Sequence, residues 1–156
     1  MSGKDFLVIG YGNTLRRDDG VGVKVAEAVA EMDLPGVSVI ARHQLVPELA
    51  GPISQMRGVI FVDANAGAAE KVEFDFVEPS TNAQILAHAV NPSSLLALAK
   101  KLFGKSPKAW TLAIPAEDFG FGDGLSPRAE EGFRAALAQI RALAQDNFCE
   151  AVANAR

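Results

Sequence analysis

Apolar runs and amphipathic stripes alternate along the chain from its first residues to its last third. Phe6-Leu7-Val8-Ile9 ends in Gly10-Tyr11-Gly12, which predicts a buried strand followed by a tight turn. Val21, Val25, Val29 and Met32 then recur at helical spacing, with Lys24, Glu27 and Glu31 on the other face, so a helix is expected over 19–33. Pro35-Gly36 stops it. Residues 37–41, Val-Ser-Val-Ile-Ala, predict a second strand. Pro47-Glu48 opens a short helical segment that Gly51-Pro52 is expected to interrupt. Val59-Ile-Phe-Val-Asp63 is apolar until its last residue and reads as a strand buried on both faces. Residues 71–77 alternate polar and apolar, as a strand with one wet face at a sheet edge does.

After a loop over 78–91, a helix is marked at both ends. Asn91 can cap it, Pro92 suits its first position, Lys100 and Lys101 favour its last turn, and Gly104 can close it. Residues 109–114 form a further strand that stops at Pro115. A glycine-rich loop, 119–124, leads to Ser126-Pro127, a second cap and first-position pair, and Phe133, Leu137, Ile140 and Ala144 supply the stripe of the last helix. With no internal repeat or linker, the expectation is one domain over 1–156: an α/β fold, a three-layer α/β/α sandwich around a mostly parallel twisted sheet of about five strands.

Composition narrows the function. A net charge of −4 and no Lys/Arg cluster argue against a nucleic-acid footprint. No apolar run approaches the ~18 residues a membrane span needs. The single cysteine, Cys149, has no partner for an internal disulfide and reads as an ordinary thiol on or after the last helix. Met1-Ser-Gly-Lys-Asp5 leads straight into the first strand without a signal-peptide pattern, and the expected compartment is reduced and cytoplasmic.

In a parallel sheet, ligands bind beyond the carboxyl ends of the strands, and this sorts the polar residues. Asp18 and Asp19 follow the first strand, Asp63 closes the third, and His88 precedes the helix that starts near Pro92. Two carboxylates and an imidazole can hold nickel, zinc or iron with open positions, or can act as acid and base on a bound water. Each residue also has a plainer role. Asp18 suits a helix N-cap, Asp19 a favourable charge at a helix start, and His88 a surface loop. Asp63 is harder to explain without function, because an acid closing an all-apolar strand is costly to bury unpaired. His43 ends the second strand at the same edge and is a candidate for a substrate-contacting or supporting role. Gly10-Tyr-Gly12 begins a dinucleotide fingerprint, but Leu15 stands where its third glycine belongs. Arg42 at the end of the second strand would direct such a site toward NADP. Neither an HExxH helix nor a GxSxG elbow is present.

Taken whole, Gly10-Tyr-Gly-Asn-Thr-Leu-Arg-Arg-Asp-Asp-Gly-Val-Gly22 resembles the N-terminal signature of the hydrogenase maturation proteases. Further matches follow in order: His43-Gln-Leu-Val-Pro-Glu-Leu49, Val62-Asp63-Ala64, His88 ahead of a leucine-rich helix, and Leu125-Ser-Pro127. The resemblance spans roughly 6 to 143. It implies an aspartic-type endopeptidase that removes the C-terminal extension of a nickel–iron hydrogenase large-subunit precursor. It also implies that Asp19, where many relatives carry glutamate, joins Asp63 and His88 as the catalytic and metal-facing residues. The nickel would be the precursor's, recognised jointly by enzyme and substrate. The alternatives are a nickel-sensing binding module of the same fold, without peptidase activity, and, with less support from the broken glycine pattern, a nucleotide-dependent oxidoreductase.

Overall fold

The computed structural model describes residues 5–67, 69–81 and 90–155. Among these residues five strands form one sheet: β1 (Phe6–Tyr11), β2 (Val37–Arg42), β3 (Gly58–Asn65), β4 (Glu73–Val77) and β5 (Lys108–Pro115). Their order across the sheet is β2-β1-β3-β5-β4. β1, β2, β3 and β5 run parallel, and β4 lies antiparallel on the edge beside β5. Helices α1 (Val21–Met32), α2 (Ala50–Ser54), α3 (Pro92–Phe103), α4 (Pro127–Gln145) and α5 (Cys149–Asn154) cover the two faces. This is the expected α/β/α architecture.

Side-chain alternation along β1 builds both cores. Phe6 and Val8 join Ile60, Val62, Trp110, Leu112 and Ile114 under α1, α4 and α5. Leu7 and Ile9 point to the opposite face, with Val59, Phe61 and Ala109 under α2 and α3. A central strand covered on both faces must be apolar at every position, and that is why β1 and β3 read as unbroken runs. β4 instead exposes Glu73 and Asp75 and turns Phe74 and Phe76 inward onto Trp110, as an edge strand should.

Three local expectations change. The predicted helix over 19–33 begins instead as a 3-10 turn, Arg17–Gly20, and becomes α-helical only at Val21. Gly51-Pro52 does not interrupt α2, because Pro52 falls in the helix's first turn, where no backbone N–H is needed. α5 was not expected. Its entry is pinned by Phe148, a buried residue stacked on Phe6 at 4.1 Å between ring centroids. Cys149 is the first residue of α5 and is exposed. The marked helix, by contrast, runs from Pro92 to Phe103 with a reciprocal capping box between Asn91 and Ser94, and Gly104 closes it at φ +80°. Among the described residues no helix is long and apolar enough to cross a membrane.

Candidate active site

The strand order fixes where a crevice opens. From β1 the chain crosses to β2 on one side and later returns to β3 on the other, so the sheet's switch point lies between β1 and β3. Pairing between those two strands ends at Gly10 opposite Val62. Beyond it, Tyr11 stays with β2, opposite Arg42. Asp63 stays with β5, opposite Ala113, and β3 runs two residues further than its apolar stretch suggested because this pairing continues to Asn65. Tyr11 and Asp63 are therefore the first residues on either side of the parting strands.

α1 is drawn into this parting by glycines. A Cβ on Gly22 would strike the carbonyl oxygen of Val62 and stand 2.8 Å from that of Tyr11, so only glycine lets the first turn of α1 lie against both strand ends. Gly12 adopts φ +142° and packs against the Asp19 carbonyl. The space around Gly10 and Gly12 is thus filled by the backbone of the turn and of α1, where a dinucleotide site would leave it for a pyrophosphate.

The acid pair divides. Adjacent residues on a 3-10 turn point about 120° apart, so the two carboxylates cannot share a direction. Asp19 turns toward the cleft. Its Oδ2 accepts the Asn13 backbone N–H at 2.8 Å, and its Oδ1 has no hydrogen-bond donor among the described residues. Asp18 turns inward and is fully buried. It is not a helix cap: Gly20 holds the cap position of α1, and no side chain caps it. The Asp18 Oδ2 accepts the backbone N–H groups of Glu117 and Asp118 at 2.9 and 3.0 Å and the Ser126 hydroxyl at 2.6 Å, while Oδ1 accepts the Ser126 N–H at 2.8 Å. Burial alone would raise its pKa, but these four bonds outweigh it and hold the carboxyl below its usual range. Asp18 thus ties the loop after β1 to the loop between β5 and α4.

A cleft of about 530 Å³ opens at the parting, lined by Tyr11, Gly12, Asp19, His43, Leu45 and Asp63 together with Gln44 and Val90. Asp63 is half-buried there, and its pKa is raised. Burial is the main cause, and the neighbouring Asp19 charge adds to it; a 2.7 Å bond from the Ala64 N–H and a hydrogen bond from the Tyr11 hydroxyl partly offset the rise. Tyr11 is pushed far above the ordinary phenol range by burial, by the Asp63 charge and by its bond to that carboxylate, so its hydroxyl stays protonated. The exposed His43 follows β2 and shares the cleft, with its carbonyl accepting the Gly12 N–H at 3.1 Å.

Of the residues singled out from sequence, Asp19, Asp63 and His43 meet in one cleft. His88 lies outside the described residues. Among the described residues no group of three His, Cys, Asp or Glu side chains converges to hold a metal. Tyr11 was not foreseen, although its place as the last residue of β1, before the turn, was the signal for it.

No family model matches the chain. Among curated proteins it is similar to the Hydrogenase 2 maturation protease of Escherichia coli (strain K12), with 30% identity over 156 residues covering 94% of each chain. Among solved structures, the hydrogenase maturating endopeptidase HybD from E. coli superposes with a TM-score of 0.67 at 23% identity, covering 92% of this chain and 94% of that one. The NiFe hydrogenase maturation protease HybD from Thermococcus kodakarensis gives 0.69 at 21% identity, covering 90% and 99%.

Proposed function

This chain belongs to the hydrogenase maturation proteases, and from that premise we propose that the cleft between β1 and β3 is where this endopeptidase cuts its substrate. The substrate is the precursor of a nickel–iron hydrogenase large subunit, and the bond cut is the one that frees its C-terminal extension. The observation that carries this reading is the meeting of Asp19 and Asp63 at the switch point. Two like charges face one cleft, and one of them is already strained toward protonation by burial.

Such a pair suits a divalent cation, which would relieve the repulsion. The cation is the nickel carried by the precursor, held jointly by substrate and enzyme. Asp19 offers Oδ1 to it, and Asp63 offers the carboxylate that Ala64 and Tyr11 hold in place. His88 supplies the imidazole. It stands two residues before Val90, which lines the cleft.

The hydrolytic step needs a base beside the scissile bond, and the half-buried Asp63 carboxylate, held by the Ala64 N–H in the cleft, provides one. Water gives a proton to Asp63 as its oxygen bonds to the scissile carbonyl carbon. That proton passes to the departing amine nitrogen as the carbon–nitrogen bond breaks. Among the described residues lining the cleft there is no serine or cysteine to act as nucleophile. With a weak nucleophile, positioning of the peptide must supply much of the rate, and jointly held nickel provides that positioning.

The test is to mix the protein with nickel-loaded precursor, nickel-free precursor and the isolated peptide spanning the cleavage site, and to follow mass. Only the nickel-loaded form is expected to be shortened. Equal cutting of the nickel-free form would show that nickel is not the checkpoint. Nickel binding without cutting of any precursor would make the protein a binding module.

A further inference from the structure

Two loops beside the cleft present large apolar side chains to solvent. Leu15 is 70% exposed and Phe121 is 87% exposed. An isolated apolar residue on a surface needs no explanation, but these two stand together on a braced support. The loop after β1 and the loop between β5 and α4 are joined by a parallel bridge, Arg16 to Gly122. The Gly122 N–H donates to the Leu15 carbonyl at 2.9 Å, and the Arg17 N–H donates to the Gly122 carbonyl at 3.2 Å. Leu15 and Phe121 each stand one residue before a bridge partner, on adjoining stretches of backbone.

The bracing continues on all sides. The Arg16 side chain donates to the Phe119 carbonyl at 3.0 Å, and Arg17 donates to the Asp123 carbonyl at 3.1 Å. Beneath them Asp18 holds Glu117, Asp118 and Ser126. The left-handed turns at Arg17 (φ +43°) and Gly122 (φ +139°) are kept in place by these bonds. The bridge fixes the backbone that carries Leu15 and Phe121, so both side chains project from a rigid support.

The platform is also continuous with the site. The Leu15 N–H donates to Asn13 Oδ1 at 2.9 Å, and the Asn13 N–H donates to Asp19 Oδ2 at 2.8 Å. One short turn therefore carries an apolar knob at its tip and a cleft carboxylate at its base. An enzyme that trims the tail of a folded protein must hold the body of that protein while the tail lies in the cleft. Phenylalanine and other aromatic side chains are enriched in the cores of such contacts, and a rigid mount cuts the entropy lost on binding.

We propose that Leu15 and Phe121 form a docking platform for an apolar patch on the folded body of the precursor, beside the point where its extension leaves. The inference rests on the endopeptidase reading given above. It is tested with Leu15→Ser/Phe121→Ser against the nickel-loaded precursor, with Leu102→Ser/Phe103→Ser as the control. That second exposed pair ends α3 at the amino edge of the sheet, away from the cleft. All four side chains are substantially exposed, so both variants are expected to melt like the wild type.

The expected result is a rise in KM of about 10- to 30-fold for the platform variant, with kcat within about twofold and no change in the control. Phe121→Ala alone should give a smaller rise in the same direction. An unchanged KM, or an equal rise in both double variants, overturns the platform and leaves the cleft assignment standing. A wild-type protein that cuts no precursor overturns the endopeptidase reading itself, and the docking inference with it.

Discussion

Asp18→Asn isolates what a single buried carboxylate does for the site. In the wild type one side chain accepts three backbone N–H groups and one hydroxyl, all within 3.0 Å and out of contact with solvent. Asparagine has one acceptor oxygen and one amide nitrogen. Its best placement keeps the oxygen where Oδ2 receives Glu117, Asp118 and Ser126, which puts its amide against the Ser126 N–H. Three bonds to a charged acceptor become bonds to a neutral one, a loss of about 1 kcal/mol each. The fourth donor faces another donor in a dry position, a further cost of about 1–3 kcal/mol. No longer having to bury a charge returns part of this sum, so the net loss is about 2–4 kcal/mol. For a domain of this length, that lowers the melting temperature by about 4–16 °C. The pH dependence has a definite sign. A carboxyl depressed in the fold stabilises fully above its unfolded pKa of 3.8, and loses that contribution as pH falls through the folded value. The gap between wild type and variant should therefore be widest near neutrality and close in acid below about pH 4. Urea and thermal melts from pH 7 to pH 3 measure both effects. A loss below about 0.5 kcal/mol at pH 7, or a gap that persists unchanged in acid, would refute the role of Asp18 in tying the loop after β1 to the loop between β5 and α4.

The cleft residues should behave differently. Asp63→Asn keeps shape and loses charge, and it is expected to abolish cleavage of the nickel-loaded precursor with little change in melting; near-normal cutting, read by mass, would make Asp63 structural. Asp19→Asn can still accept the Asn13 N–H, so the turn should persist while the cleavage rate falls by on the order of 100-fold, as for loss of a group that stabilises charge at the reacting centre. A rate within a few-fold of wild type would remove Asp19 from the site. Gly22→Ala drives a methyl into the carbonyls of Val62 and Tyr11, which are backbone and cannot swing away, and should lower stability by about 1–3 kcal/mol in urea melts. An unchanged midpoint would show that α1 can lift off the strands without loss.

Much of this was legible in the chain because burial on two faces leaves little choice of residue. β1, β3 and β5 announced themselves as apolar runs, and β4 as an alternating one. Asn91-Pro92 and Ser126-Pro127 marked helix starts to the residue. Asp63 stood out because a strand-closing acid conflicts with the run before it. The roles of the adjacent acids were not legible. Asp18 and Asp19 look equivalent on paper, and only the 3-10 turn beneath them decides which faces the cleft. The partners of Asp18 are about a hundred residues away, beyond the reach of any local pattern. Tyr11 was hidden inside a glycine motif whose neighbours drew the eye to phosphate binding.

The sheet order has a consequence for how the chain must assemble. β4 is made before β5, yet it ends up outside it, so β5 has to enter between two strands that already exist. The connection from β3 to β4, residues 66–72, is short enough to let β4 fold back on β3 as a hairpin in the place β5 will take. Native order requires that early hairpin to be the weaker pairing. The lengths agree: β5 matches all eight residues of β3, from Gly58 to Asn65, whereas β4 has five to offer and spends Glu73 and Asp75 on a wet face. A β3–β4 hairpin formed first would thus be the pairing that gives way when β5 emerges some thirty residues later.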